Sequence, residues 1–474
     1  MQTRRDQLQA YRFQNRRALA ALVTGEPNVL EPPMRRLTAT TVSGIMIAIL
    51  IAVGFALVGV FKPTTGKAWK DAGAVIIDRD TGATYIYAQD VLHPVANYTS
   101  AVLAAGTNQA AHVVQVDRSD LDGTPRGVEI GIPGLPASLP PASGLVSSPV
   151  TSCSRLQGTS GTTLHARVSL RIGDTGQSHA LPSPGAGVLV RTPSGASYLL
   201  GRGHRLTITS PNVALALGLQ NTSPLTVGTA FVESVPPGPD LRAPAIAVGG
   251  QSDYAVNGTH PLIGQLLHIS GTDQYQVVLP DGLAAVTSVQ TALLRTLPTG
   301  TPATPHNPIE TPESGLFGTH PSTVVWPRIQ QSLAGLPDQL QPDAIAANTR
   351  TVDAAGGLCA VYGKGSEEPA FTAAPNSLPS VVFGGVDESV DSQHGQADSV
   401  TVPAGSVALV RSTDSATLFL VAEPGTKYPA ASKDAINALG YGSATPSTLP
   451  VQVLPLIPSG KSLDPVAARR PVSN

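Results

Sequence analysis

The chain has 474 residues, a formal net charge of −2 and only 13 % charged residues, so it carries no electrostatic footprint for a nucleic-acid partner. With 47 glycines, 43 prolines and 4 % aromatic residues, it does not read as a helical cytosolic enzyme. It suits a β-rich, turn-rich exported domain whose core rests on aliphatic packing.

In chain order, the first feature is a basic amphipathic stretch. Leu8, Tyr11, Leu19 and Leu22 fall at helical spacing, with arginines on the other faces. Such a helix suits either anionic lipid headgroups or a cytosolic partner. Gly25 and Pro27 end it. No charged residue then occurs from Leu37 to Phe61, enough helix to cross a hydrocarbon core of roughly 30 Å. A core helix seldom runs so long without charge, and no small-residue cleavage site follows as in a signal peptide. Arginines 4, 5, 12, 16, 17, 35 and 36 precede the span, against Lys62, Lys67 and Lys70 after it. That excess places the N-terminus in the cytosol and the bulk of the chain across the membrane. Trp69 is expected as an interfacial anchor, Trp326 as core.

The exported part repeats itself. Gly73 to Tyr87, Gly187 to Leu200, Gly264 to Leu279 and Gly405 to Val421 each read as strand, turn, strand, followed by a short helical run. Ser210-Pro211 and Ser432 are N-cap signals, and Gly106, Gly218 and Gly440 sit at C-cap positions. A ββα unit of this size is a poor independent fold, so each copy must pack on something larger.

The order is repeat, cysteine segment, repeat, twice over. Cys153 and Cys359 are the two cysteines, both on the translocated side, where an even count favours a disulfide. The fold expected is therefore one transmembrane helix plus an α+β, β-rich periplasmic domain. Four ββα repeats would surround a central disulfide-linked β domain with pseudo-twofold symmetry. By segment, residues 1–36 are cytosolic and 37–61 span the membrane. Repeats occupy 66–120, 185–235, 250–300 and 401–458, the central domain 121–184 and 301–400, and a flexible tail 459–474.

Taken together, Arg4 to Phe13, Arg16 to Leu19, the single span, Gly73 to Tyr87, the four repeats and the two distant cysteines resemble the EccB family of mycobacterial type VII (ESX) secretion. The resemblance implies a structural subunit of an inner-membrane complex with the EccC motor ATPase, EccD, EccE and the mycosin protease, as a homo-dimer or higher oligomer. It also hints at peptidoglycan contact. The family's ATPase label makes an ATP-hydrolysing subunit one alternative and a solitary peptidoglycan anchor the other.

No catalytic motif supports a hydrolase. The nearest approach to a phosphate loop is Pro455 to Ser462, ending Gly460-Lys461-Ser462. Pro455 and Pro458 cannot donate to an anion, and no helix pattern follows. The histidines lack metal-ligand spacing, and Asp387, Glu388 and Asp391 read as a solvated acidic loop without an EF-hand pattern. No cofactor or metal is called for.

Overall fold

Two helices precede a larger β-rich unit in the chain. The computed structural model describes residues 4–25, 34–61, 67–106, 111–157, 165–173, 178–297, 308–316, 319–374, 395–423 and 425–472. It divides into two units, residues 1–70 and 71–474.

In the first unit, one helix covers Arg4–Thr24, with Asp6 at its electropositive first turn, and a second of 28 residues covers Met34–Phe61. Val42, Ile45, Met46, Ile47, Ile49, Leu50, Ile51 and Val53 of the second helix are all exposed. Its side chains are described over residues 40–54, and among the described residues no helix is long and apolar enough to cross a membrane. Trp69, expected as an interfacial anchor, is 4 % exposed.

The second unit is mixed α+β and β-rich. Four segments form sheets in which the strands follow the same order, third, second, first, fourth. The first strands are Ala74–Asp78, Val188–Arg191, Leu266–Ile269 and Val407–Ser412. Each pairs antiparallel with a second strand, Thr84–Ala88, Ser197–Gly201, Tyr275–Leu279 or Leu418–Val421. A third strand folds back (Val91–Pro94, His204–Ile208, Gly282–Val286, Lys427–Pro429). A short helix follows (Tyr98–Ala105, Pro211–Ala216, Ser288–Leu294, Lys433–Ala438). A fourth strand then lies parallel to the first (His112–Val116, Leu225–Thr226, Ile309–Thr311, Ser447–Leu449).

The expected ββα unit is thus βββαβ. Several of the third and fourth strands, such as Lys427–Pro429, Leu225–Thr226 and Ile309–Thr311, are too short to show alternation. The sequence boundary at 300 also separated Ile309–Thr311 from the sheet that it completes. The two expected N-caps match: Ser210 and Ser432 each accept a backbone N–H of the first turn, and Asn97 and Thr287, not expected from the sequence, do the same.

A further strap closes each third strand. After the fourth strand the chain returns and bridges the third in parallel: Leu92 with Arg126, Arg205 with Pro237, Leu283 with Pro321 and Lys427 with Ser459. This covers an edge that would otherwise present unpaired backbone groups. Close approach explains the glycines there. A Cβ on Gly127, Gly238 or Gly460 would come within 2.6 Å of His93, 2.5 Å of Leu206 or 2.4 Å of Tyr428.

The central sheet has six strands. Its middle pair, Val150–Gln157 and Gly357–Tyr362, is antiparallel with Cys153 directly opposite Cys359, and the two form a disulfide. Each strand continues into a hairpin partner, His165–Ile172 or Ala370–Ala373. The outermost strands exchange halves. His179–Ala180 lies on Ala370–Ala373, and Ser399–Thr401 on His165–Ile172, the first antiparallel and the second parallel. Val168, Leu170, Ile172, Leu358, Ala360 and Tyr362 form the main core with Phe231 and Val232 and with strands of the second and fourth repeat segments.

Residues 459–472 are not a flexible tail. Leu463 and Ala468 are fully buried and join Ala101, Leu103, Ala435 and Ile436 in one cluster. Arg469 Nε donates to Ala104 O (2.9 Å), at the end of the first repeat helix, and Gly131 N donates to Arg470 O (3.1 Å). Polar residues in Gly460–Arg470 conceal this packing at the sequence level. Leu463→Ala is expected to lower the unfolding free energy by about 2–5 kcal/mol, as for other buried Leu truncations, and removal of residues 459–474 by more. Urea melts of both variants that match the parent would restore the tail reading.

Candidate functional site

Three regions can carry function: the N-terminal helix, the Gly460-Lys461-Ser462 segment and the polar clusters on the repeat sheets. On the helix, Leu8, Tyr11, Leu19 and Leu22 are all exposed, from 49 % for Leu19 to 84 % for Leu22. Their spacing keeps them on one stripe. Arg17 lies over the Phe13 ring at 5.9 Å. An open apolar stripe with flanking arginines is a surface for a partner helix or an anionic lipid face, not a catalytic one.

The second region is already in use. A phosphate cradle needs free backbone N–H groups converging on one anion, usually at a helix N-terminus. Here Gly460 N donates to Lys427 O (2.8 Å), Leu463 N donates to Pro429 O (2.8 Å), and Lys427 N donates to Pro458 O (2.8 Å). Ser462 Oγ donates to Pro429 O (3.2 Å). The glycine serves the strap against Tyr428, and among the described residues the only helical element after it is the short turn Ala467–Arg469. Beside the strap lies Lys427, which the sequence reading did not single out. It is buried, its Nζ donates to Leu454 O (2.6 Å), and burial lowers its pKa. A lysine shut beneath a strap cannot reach a ligand. Its alternation within a short strand carries no signal that could have flagged it.

The third region centres on His268. Its Nδ1 meets Glu310 Oε1 at 2.6 Å and its Nε2 meets Thr272 O at 2.7 Å. Tyr275 stacks on the ring at 4.7 Å, and Arg295 lies 5.8 Å from the Tyr275 centroid. The hydrogen bond that the ring donates to Glu310 raises the His268 pKa. His260, its near neighbour in sequence, instead bonds Ser252 O (2.8 Å). Among the described residues no three metal-ligating side chains converge. Asp387, Glu388 and Asp391 lie outside the described residues. Cys153 and Cys359 are buried and paired, so they are structural. Trp326 is core, as expected.

Comparison with known proteins adds the wider context. A family described as "Type VII secretion system ESX-1, transport TM domain B" matches residues 1–472. The ESX-5 secretion system ATPase EccB5 of Mycobacterium tuberculosis strain H37Rv is 29 % identical over 97 % of this chain and 91 % of its own. The ESX-3 secretion system ATPase EccB3 of the same strain is 32 % identical over 61 % of this chain. The chain spans 56 % of that relative's length. A chain of the intact ESX-5 inner membrane complex superposes with TM-score 0.62 and 25 % identity, covering 100 % of this chain and 96 % of that one. The EccB3 dimer from the ESX-3 core complex shares the fold, with TM-score 0.61 at 23 % identity over 84 % of this chain and 100 % of that one.

Two expectations follow from the geometry. Gly460→Val should lower the melting temperature by forcing Tyr428 aside, while Lys461→Ala should leave it unchanged. Equal loss from both would point to a ligand loop instead. For His268, the pairing favours the protonated ring. Its contribution is complete below the ordinary value of 6.5 and is lost as pH rises through the raised folded value. The His268 NMR titration midpoint should therefore lie above 6.5 and fall in Glu310→Gln; an unshifted midpoint in both proteins would contradict the contact.

Proposed function

This chain belongs to the EccB family of type VII secretion systems, and we propose that it is a structural subunit assembling the periplasmic part of such a system's membrane complex. The observation that carries the reading is the full-length likeness to a chain of the ESX-5 inner membrane complex. In this reading the Met34–Phe61 helix anchors the chain in the inner membrane. Exposed apolar side chains all around its described part favour lipid as their surroundings. The arginine-rich segment before it stays in the cytosol by charge asymmetry, and residues from about 62 onward lie in the periplasm.

The four βββαβ segments are copies of one unit arranged about a pseudo-twofold axis through the Cys153–Cys359 pair. They serve as a rigid platform against which a second copy and other subunits assemble. A hydrolytic role is disfavoured, although relatives bear the word ATPase in their names. In the one segment that approaches a phosphate loop, the Gly460 N–H is committed to Lys427 O, and Pro455 and Pro458 have none to offer.

Leu8, Tyr11, Leu19 and Leu22 would dock the N-terminal helix on cytosolic parts of the complex. The double change Leu19→Asp and Leu22→Asp should release the subunit from the detergent-extracted complex while leaving it membrane-inserted. Co-purification at the parent level would remove the helix from the assembly. Protease added to spheroplasts should digest the region after residue 62 and spare the N-terminus; protection of the Cys359 region would overturn the topology.

A further inference from the structure

We propose that the cavity of about 330 Å³ between the second repeat segment and the Gly335–Gln341 chain binds a small aliphatic monocarboxylate. Its volume lies at the lower end of the range for small-molecule sites. The wall is set before any ligand arrives. The fully buried Asn348, on the helix Pro342–Ala355, donates to Ser183 O (2.7 Å) and Gly187 O (2.9 Å) and accepts from Ser183 N (3.0 Å). These bonds fix the Ser183–Ala186 loop that forms one side of the cavity.

Its chemistry is divided. Leu199, Leu206 and Leu340 supply apolar lining, and the first two are buried. Arg202 supplies the cation. It is exposed and forms no ion pair among the described residues. Arg202 also sits at φ 50°, in the left-handed region, beside Gly203 at φ 75°. These two residues make the turn between Ser197–Gly201 and His204–Ile208. A long side chain is disfavoured there relative to Gly or Asn. The corresponding turn of the first segment, Gln89-Asp90, has the same left-handed geometry, which the two-residue hairpin itself requires. His204 supports the turn by donating Nδ1–H to Arg202 O (2.9 Å).

The opposite rim adds a second favourable field. Gln339, Leu340 and Gln341 line the cavity, and Gln341 is the N-cap of the 14-residue helix Pro342–Ala355 without a side-chain cap hydrogen bond. That helix end carries a partial positive charge. Two carboxylates limit how much negative charge is welcome. Asp343 lies in the same first turn, and the Glu368 side chain backs Gly203. One negative charge with a short apolar tail therefore fits better than phosphate or a dicarboxylate.

The test uses the full chain in detergent micelles. Saturation-transfer NMR and calorimetry would be run with N-acetylleucine, its neutral amide and inorganic phosphate. N-acetylleucine should bind at least about tenfold more tightly than either control. Arg202→Gly and Arg202→Asn, both suited to the turn, should keep or raise the melting temperature and weaken N-acetylleucine binding by a similar factor. No saturation transfer to N-acetylleucine overturns the proposal, as does equal binding of the amide or undiminished binding by both folded variants.

Discussion

The antiparallel pair Val150–Gln157 and Gly357–Tyr362 is the contact on which the unit formed by residues 71–474 depends. It joins segments whose cysteines lie 206 residues apart, and closing so long a loop is entropically costly. The disulfide removes much of that cost from the unfolded chain, worth about 5 kcal/mol in the chain-entropy model. Below the pair, alternate residues such as Leu358, Ala360 and Tyr362 face the main core. The cysteines face the other side with Ala374. A slip of one residue would exchange these faces, so burial and the covalent link select the same register.

With that pair formed, each repeat segment packs on one from the opposite half of the chain. The first and fourth share one cluster, with Ala101 and Leu103 meeting Ala435 and Ile436. The second and third share another, with Val213 and Leu217 meeting Val289, Leu293 and Ile345. Each helix is short and cannot bury its own apolar side, so it borrows a surface from the opposite half of the chain. Straps close the sheet edges, and the outermost strands of the central sheet are exchanged. Cooperation across the halves thus replaces the self-sufficient core that each repeat is too small to form.

This economy of polar groups bears on function. Backbone donors near Gly460 satisfy the strap, Lys427 is buried against a carbonyl, and His268 is held by Glu310. These three groups are occupied in holding the fold. Among the described residues, the apolar stripe of the first helix and the cavity beside Arg202 are open surfaces suited to binding.

The helix Pro342–Ala355 was not legible in the sequence. The sequence alone determined the two N-terminal helices, the first hairpin and short helix of each repeat segment, the N-caps at Ser210 and Ser432 and the pairing of the only two cysteines. Each of these is written in local spacing, in residues whose chemistry acts over a few positions. It also determined the family, because the order of those features is distinctive over the whole chain. Tertiary structure alone decided the third and fourth strands, the strap glycines and the burial of Leu463, Ala468 and Lys427. A strand of three residues, such as Ile309–Thr311, has too few positions to show a period. Gly460 beside Lys461 reads as a phosphate motif until the Tyr428 ring is seen against it. The exchange of partners between halves was likewise invisible, since it depends on contacts hundreds of residues apart and on which surfaces remain uncovered after the central pair forms.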